Sequence, residues 1–177
     1  MQIDGETLLH RVVKAATGTR LPTFVALPRA NPPRHNAIKD LSAQVVDIAD
    51  PSHGMGASIA AAVRAAKPGR IMVIPADMPG VTTRSIAALI DAASVRPDLV
   101  WRGMDASGTP GHPVLFPARL YEALAGLQGD DGARALMKHE DVMRVGLPGQ
   151  DATLDLDTPE AWAAFRQLGS LNSAPAS

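Results

Sequence analysis

The stretch that decides the fold is RIMVIPADMPG, residues 70–80. Residues 71–75 are apolar without a break, and the carboxylate of Asp77 follows at once, held between Pro75 and Pro79. A short apolar run bounded by turn residues reads as a strand buried on both faces of a sheet. An acid placed directly after such a strand stands at the rim of the sheet.

Working outward from this strand, element types alternate. GETLLHRVVKAA (5–16) sets Leu8, Leu9, Val12, Val13 and Ala16 at helical spacing, and PTFVALP (22–28) follows as an apolar strand. RHNAIKDLSA (34–43) is a weaker helix, AQVVDIA (43–49) a strand and ASIAAAVRAAK (57–67) an alanine-rich helix. After the central strand, TTRSIAALIDAAS (82–94) is a helix that Thr82 or Thr83 can cap. DLVWRG (98–103), GHPVLFP (111–117) and DVMRVGLP (141–148) read as strands, with helices near 117–125 and 131–139. TPEAWAAFRQLG (158–169) closes the chain as a helix, with Thr158 as its cap and Pro159 at its first position. Strands alternating with helices predict an α/β fold with a mostly parallel sheet covered on both faces. We expect one domain over residues 1–169 and a disordered tail over 170–177.

Composition narrows the function. A chain of 177 residues that is 46% hydrophobic fills a single core. A net charge of −1, with Lys and Arg scattered singly, leaves no electrostatic footprint for nucleic acid or an anionic membrane. The absence of cysteine excludes disulfides, zinc–thiolate sites and a thiol nucleophile. No leader opens the sequence and no apolar run reaches the ~18 residues of a membrane span. The expectation is a soluble, cytoplasmic protein that binds neither nucleic acid nor membrane.

Ligands of an open parallel sheet gather outside the carboxyl ends of its strands, which is where Asp77 falls. An Asp beside proline is also an ordinary turn residue. The functional alternative is a ligand for a hard cation, since Mg²⁺ takes one or two protein carboxylates and completes its shell with water and phosphate oxygens. PSHGMGASIAAAV (51–63) supplies a second candidate, with Gly54 and Gly56 flanking Met55 and with Ser58 in the first turn of a helix. Glycines there allow close approach of a ligand, and a helix start favours an anion, although a flexible connection explains the same residues. In DLDTPEAW (155–162), Asp157 serves the following helix start, whereas Asp155 is left without that reason; alternation puts the two acids on one side, facing Asp77 as a metal cradle. Arg134, at the start of the helix after GDDGAR (129–134), opposes the helix dipole unless an anion or a carboxylate answers it.

Together, ETLLHRVVKAA, HGMGASIAAAV, VIPADMPGV, GHPVLFP, GDDGARALM and DLDTPEAW resemble, in that order, the MobA-like nucleotidyltransferases, and most of all their molybdenum cofactor cytidylyltransferase branch. The resemblance implies a Rossmann-like three-layer fold and a Mg²⁺-dependent transfer of a nucleotidyl group, CMP in preference to GMP, from an NTP to a phosphorylated pterin such as molybdopterin, with release of pyrophosphate. It implies Asp77 as the principal, catalytic metal ligand, with Asp155 or Asp157 approaching the metal. Gly54, Met55, Gly56 and Ser58 would lie near the nucleotide, and Gly111, His112, Pro113 and Arg134 near the acceptor. A molybdoenzyme is a further implied partner. In such a transfer, positioning and charge neutralisation do most of the catalysis, and no protein nucleophile is needed.

The family's glycine-rich loop LAAGxSxRMGxxK and the strand before it would precede the segment matched here by QIDGETLL, so Met1 already stands beyond them. A start assigned too late, a fragment, and a degenerate homologue that binds a pterin cofactor or a partner protein without turnover each account for this. A flavodoxin-like or short-chain dehydrogenase reading is weaker, because Tyr121 is followed by Ala125 where a Tyr-x-x-x-Lys pair needs lysine.

Overall fold

The computed structural model describes residues 2, 3, 5–129, 132–156, 158, 160–163 and 165. A short antiparallel pair, β1 (Gln2–Ile3) and β2 (Glu6–Thr7), leads into α1 (Leu8–Thr17). Thr7 caps that helix by accepting the His10 N–H at 3.2 Å, a contact worth about 1 kcal/mol at such a position. Val12 and Val13 form its buried face. β3 (Phe24–Pro28), α2 (Pro32–Asn36) and β4 (Gln44–Ile48) follow, with β3 and β4 parallel. α3 (Gly54–Ala65) then leads to β5 (Ile71–Val73), and α4 (Thr83–Ala93) leads to β6 (Val100–Met104). The chain continues through β7 (Pro110–Phe116), α5 (Tyr121–Ala125), α6 (Arg134–Met137) and β8 (Val142–Gly146).

The larger sheet has the order β5-β7-β6-β8. β7 is antiparallel to both of its neighbours, and β6 and β8 are parallel. The α/β architecture is as expected, but the sheet is only partly parallel. The reason is local: residues 105–109 join β6 to β7 as a hairpin, whereas a parallel crossover needs about a dozen residues or more. A second expectation also changes. β5 is half-buried rather than buried on both faces, because β7 is its one hydrogen-bonded neighbour among the described residues. Full burial falls instead to β6 and β7, where Val100, Val114 and Phe116 are at most 1% exposed.

Helices bridge the sheets from both sides. Val63 of α3 joins Val100, Val114, Phe116, Leu124 and Ala133 in the largest core cluster. On the other face, Leu89 and Ala93 of α4 pack on Trp101 and Leu115. Thr82 caps α4 through a reciprocal pair with Ser85, while Thr83 donates to the Ala15 carbonyl at 2.9 Å and ties α4 to α1. The closing helix is described at residues 160–163 and 165. Its cap is Thr158, which accepts the Ala161 N–H at 3.1 Å. The tail expected over 170–177 lies outside the described residues. No helix among the described residues is long and apolar enough to cross a membrane.

Candidate functional site

Since β7 alone is reversed, β5, β6 and β8 run in one direction, and their carboxyl ends share one end of the sheet with the first residues of β7. Asp77 follows β5 at this end. Its carbonyl accepts the Leu156 N–H at 3.1 Å, and the buried Trp162 indole donates to the Leu156 carbonyl at 2.9 Å. The Leu156 backbone is thereby fixed against the turn after β5. Asp155 is exposed beside it, and Asp157 lies outside the described residues.

The Asp77 side chain has a specific oddity: Oδ1 is buried and has no hydrogen-bond partner among the described residues. Leaving a buried acceptor unpaired costs about 1–3 kcal/mol. A hard cation would offset that cost, so the donor chemistry at Asp77 fits a divalent metal. Among the described residues no group of three or more His, Asp or Glu side chains gathers to hold a metal. A Mg²⁺-type site does not require one, because substrate oxygens and water complete the shell.

The first residues of β7 are built into this end by contact with the 148–154 loop. Gly111 is buried, and a Cβ there would overlap the Ala152 carbonyl oxygen. The same carbonyl accepts the His112 N–H at 2.8 Å. Pro113 is fully buried, and the bond before it is cis. The His112 imidazole is held down to about 4, first by burial and then by the Arg102 guanidinium.

Asp105, 7% exposed, holds this loop system together. Its Oδ1 accepts from the Ser107 and Thr109 N–H groups at 2.9 Å each and from the Ser107 hydroxyl at 2.7 Å. Its Oδ2 accepts from the Thr153 hydroxyl at 2.7 Å. These bonds, led by those from the Ser107 and Thr153 hydroxyls, hold its carboxyl down to about 2.

The remaining candidates form a second group. Gly54 opens α3 with φ +83, and Met55 beside it is 59% exposed. The Gly56 N–H donates to the Gly129 carbonyl at 2.8 Å, so the first turn of α3 packs directly on Gly129, ahead of α6. A Cβ at Gly56 would sit 2.7 Å from the Gln128 carbonyl oxygen. The Gly56 amide is therefore engaged by the protein rather than offered to an anion. Ser58 is half-buried on α3 and Arg134 is exposed at the start of α6. Sequence reasoning missed Asp105, Arg102 and Arg144; the last two are single charges inside otherwise apolar strands, VWRGM and VMRVG.

Ligands of open α/β sheets bind outside the carboxyl ends of the strands, the end at which Asp77 and the first residues of β7 lie. The chain belongs to the MobA-like NTP transferase domain family, whose model matches residues 1–144. The family consists of nucleotidyltransferases and is generally dependent on a divalent metal. Solved structures share the fold. A protein from Mycobacterium sp. strain JC1, a homologue of a Mycobacterium tuberculosis protein, is 24% identical with a TM-score of 0.74, the match covering 97% of this chain and 86% of that one. The M. tuberculosis protein in complex with manganese is 23% identical, TM-score 0.74, covering 98% and 90%. A nucleotidyl transferase from Methanothermobacter is 18% identical, TM-score 0.75, covering 98% and 85%. No curated protein matches the sequence.

Proposed function

We propose that this chain catalyses metal-dependent nucleotidyl transfer, moving CMP, or less favourably GMP, from an NTP to a phosphorylated pterin-like acceptor such as molybdopterin. A phosphate oxygen of the acceptor attacks the α-phosphorus of the NTP, a new P–O bond forms, and the bond to the β-phosphate breaks to release pyrophosphate. The observation that carries this reading is the unpaired, buried Oδ1 of Asp77 at the carboxyl end of β5. Asp77, with Asp155 or Asp157, would hold the metal, and Mg²⁺ is the cation that the phosphate chemistry favours. When bound there, it supplies Lewis-acid polarisation of the α-phosphate.

The protein's own groups do the rest. The Leu156 N–H fixes the Asp77 backbone, so the carboxylate is oriented before substrate arrives, as efficient positioning requires. Gly54, Met55, Gly56 and Ser58 border the nucleotide. Gly111, His112, Pro113 and Arg134 border the acceptor, with His112 neutral at physiological pH and able to donate or accept one hydrogen bond. A second reading, a module that binds a pterin cofactor or a partner protein without turnover, is favoured by the Gly56 N–H, which donates to the Gly129 carbonyl rather than standing open to a phosphate.

One assay separates the two. Purified protein is incubated with CTP or GTP, Mg²⁺ or Mn²⁺ and molybdopterin, and pyrophosphate release is followed. Acceptor-dependent release that disappears in D77A is the expected result. Release absent under every combination, together with retained pterin binding, establishes the binding module instead.

A further inference from the structure

Three arginines converge on one face of the larger sheet. Arg102 in β6 is the register partner of Arg144 in β8, and equal register on neighbouring strands puts both side chains on the same face. That face is marked by Val100, Val114 and Val142, all packed in or against the largest core cluster. Arg134 opens α6, whose Leu136 and Met137 rest on the same cluster, with Ala133 inside it.

Arg102 is half-buried, and its Nε donates to the Gly111 carbonyl at 3.1 Å, beside the 111–113 segment. Its guanidinium is pushed below the ordinary arginine range, first by burial and then by Arg144 and Arg134. Two other arginines have carboxylate partners, Arg119 with Glu140 and Arg96 with Asp98. Among the described residues, no carboxylate forms an ion pair with Arg102, Arg134 or Arg144.

Like charges at neighbouring sheet positions repel, and withdrawing a guanidinium from water weakens the screening between them. A polyanion between the three removes both penalties. The planar fork of arginine matches phosphate oxygens in paired hydrogen bonds, so phosphate is the fitting chemistry.

We propose that Arg102 and Arg144 join Arg134 in a binding site for a phosphate oxyanion, and that the group held there is the phosphate of the acceptor. That the phosphate belongs to the acceptor rests on the nucleotidyl-transfer reading; the anion site does not. The acceptor is favoured over the nucleotide because Arg102 is bonded to the Gly111 carbonyl, on the strand that begins with the acceptor segment.

The test uses the full chain, with inorganic phosphate as probe, by calorimetric titration at constant ionic strength without divalent metal. Wild type binds phosphate. R102Q weakens binding by about tenfold or more, as expected for a lost charge-assisted bond, and R144Q, at an exposed position that leaves folding undisturbed, weakens it severalfold. R102K keeps the charge but not the fork and falls between. R84Q, on exposed α4 surface, changes nothing. Equal affinity in wild type and the R102Q/R144Q double variant, or no phosphate binding by wild type, overturns the site. A second arm titrates CTP with Mg²⁺: unchanged affinity in the double variant supports the acceptor assignment, and a parallel loss overturns it in favour of the nucleotide's phosphates. Wild type that binds phosphate but not Mg²⁺–CTP refutes the proposed transferase function while upholding the anion site.

Discussion

The Leu156 N–H donates to the Asp77 carbonyl at 3.1 Å, joining the turn after β5 to a segment almost 80 residues further along the chain. The bond engages the Asp77 backbone, while its buried Oδ1 meets no donor among the described residues. On the proposed reading, function and stability pull in opposite directions at one residue.

That conflict makes a prediction. D77N and D77A should melt at or above the wild-type temperature in EDTA, since each removes an unpaired buried acceptor worth about 1–3 kcal/mol or lets an amide replace it. In Mg²⁺ or Mn²⁺ with CTP the order should invert, because wild type alone gains stability from the bound metal and nucleotide. Thermal melts in the four conditions decide it. A nucleotide- and metal-dependent rise that survives in D77A would remove Asp77 from the metal site.

Much of this site is readable from the linear sequence because it depends on local pattern. The apolar run before Asp77 announces a strand and its end, and DLDTPEAW announces a capped helix through Thr158. The direction of β7 leaves no trace in its apolar residues, since GHPVLF reads alike either way. The short connection over residues 105–109 carried that information, because only antiparallel strands can be joined so briefly. The pairing of Arg102 with Arg144 is different in kind. It follows from the β6–β8 register, which no pattern within either strand encodes.

Gly111 should tolerate no side chain. A Cβ there overlaps the Ala152 carbonyl oxygen, which also accepts the His112 N–H at 2.8 Å. Backbone must move on both sides, and G111A should cost about 1–3 kcal/mol or more, the range of overpacked cores. Gly108 provides the contrast, with φ +88 and nothing within 4 Å of a Cβ. G108A then pays only for the left-handed backbone, about 1 kcal/mol. Urea denaturation of the two variants gives the comparison, and equal losses would show that the contact with Ala152 does not constrain the strand.

Asp105 should control how the β6–β7 hairpin is tied to the 148–154 loop. Its carboxyl is held at about 2 against an ordinary 3.8, chiefly by the Ser107 and Thr153 hydroxyls. A depressed carboxylate stabilises the fold fully above the unfolded value, and that contribution is lost as pH falls from about 4 towards about 2. The stability gap between wild type and D105A should therefore be constant near neutrality and close across this acidic window. D105N should retain most of the gap at neutral pH, because its amide oxygen still accepts from the Ser107 and Thr109 N–H groups. Hydrogen exchange offers an independent view. The Ala106 and His112 amides, bonded to the Gly149 and Ala152 carbonyls at 2.8 Å each, should exchange faster in D105A, and unchanged protection would mean that the loops stay docked without the carboxylate.

His112 should set a second pH dependence, at higher pH. Its imidazole titrates near 4 in the folded chain against 6.5 ordinarily, with burial the larger cause and Arg102 the smaller. Between those values the unfolded chain holds a proton that the folded chain does not, so stability rises with pH from about 4 to about 6.5 and is lost on acidification through the same window. The contribution is on the order of 3–4 kcal/mol at about 1.4 kcal/mol per pH unit. His35 runs the other way, raised by the Asn31 carbonyl and then by Asp47, so total stability mixes opposing slopes, and the difference between wild type and H112Q isolates this residue. Phosphate bound beside Arg102 would stabilise the imidazolium and bring the folded value back towards 6.5. The slope in the difference curve should accordingly shrink in phosphate buffer relative to chloride at equal ionic strength. NMR titration of the His112 ring protons in the two buffers measures this directly, and a midpoint indifferent to phosphate would place the anion away from Arg102.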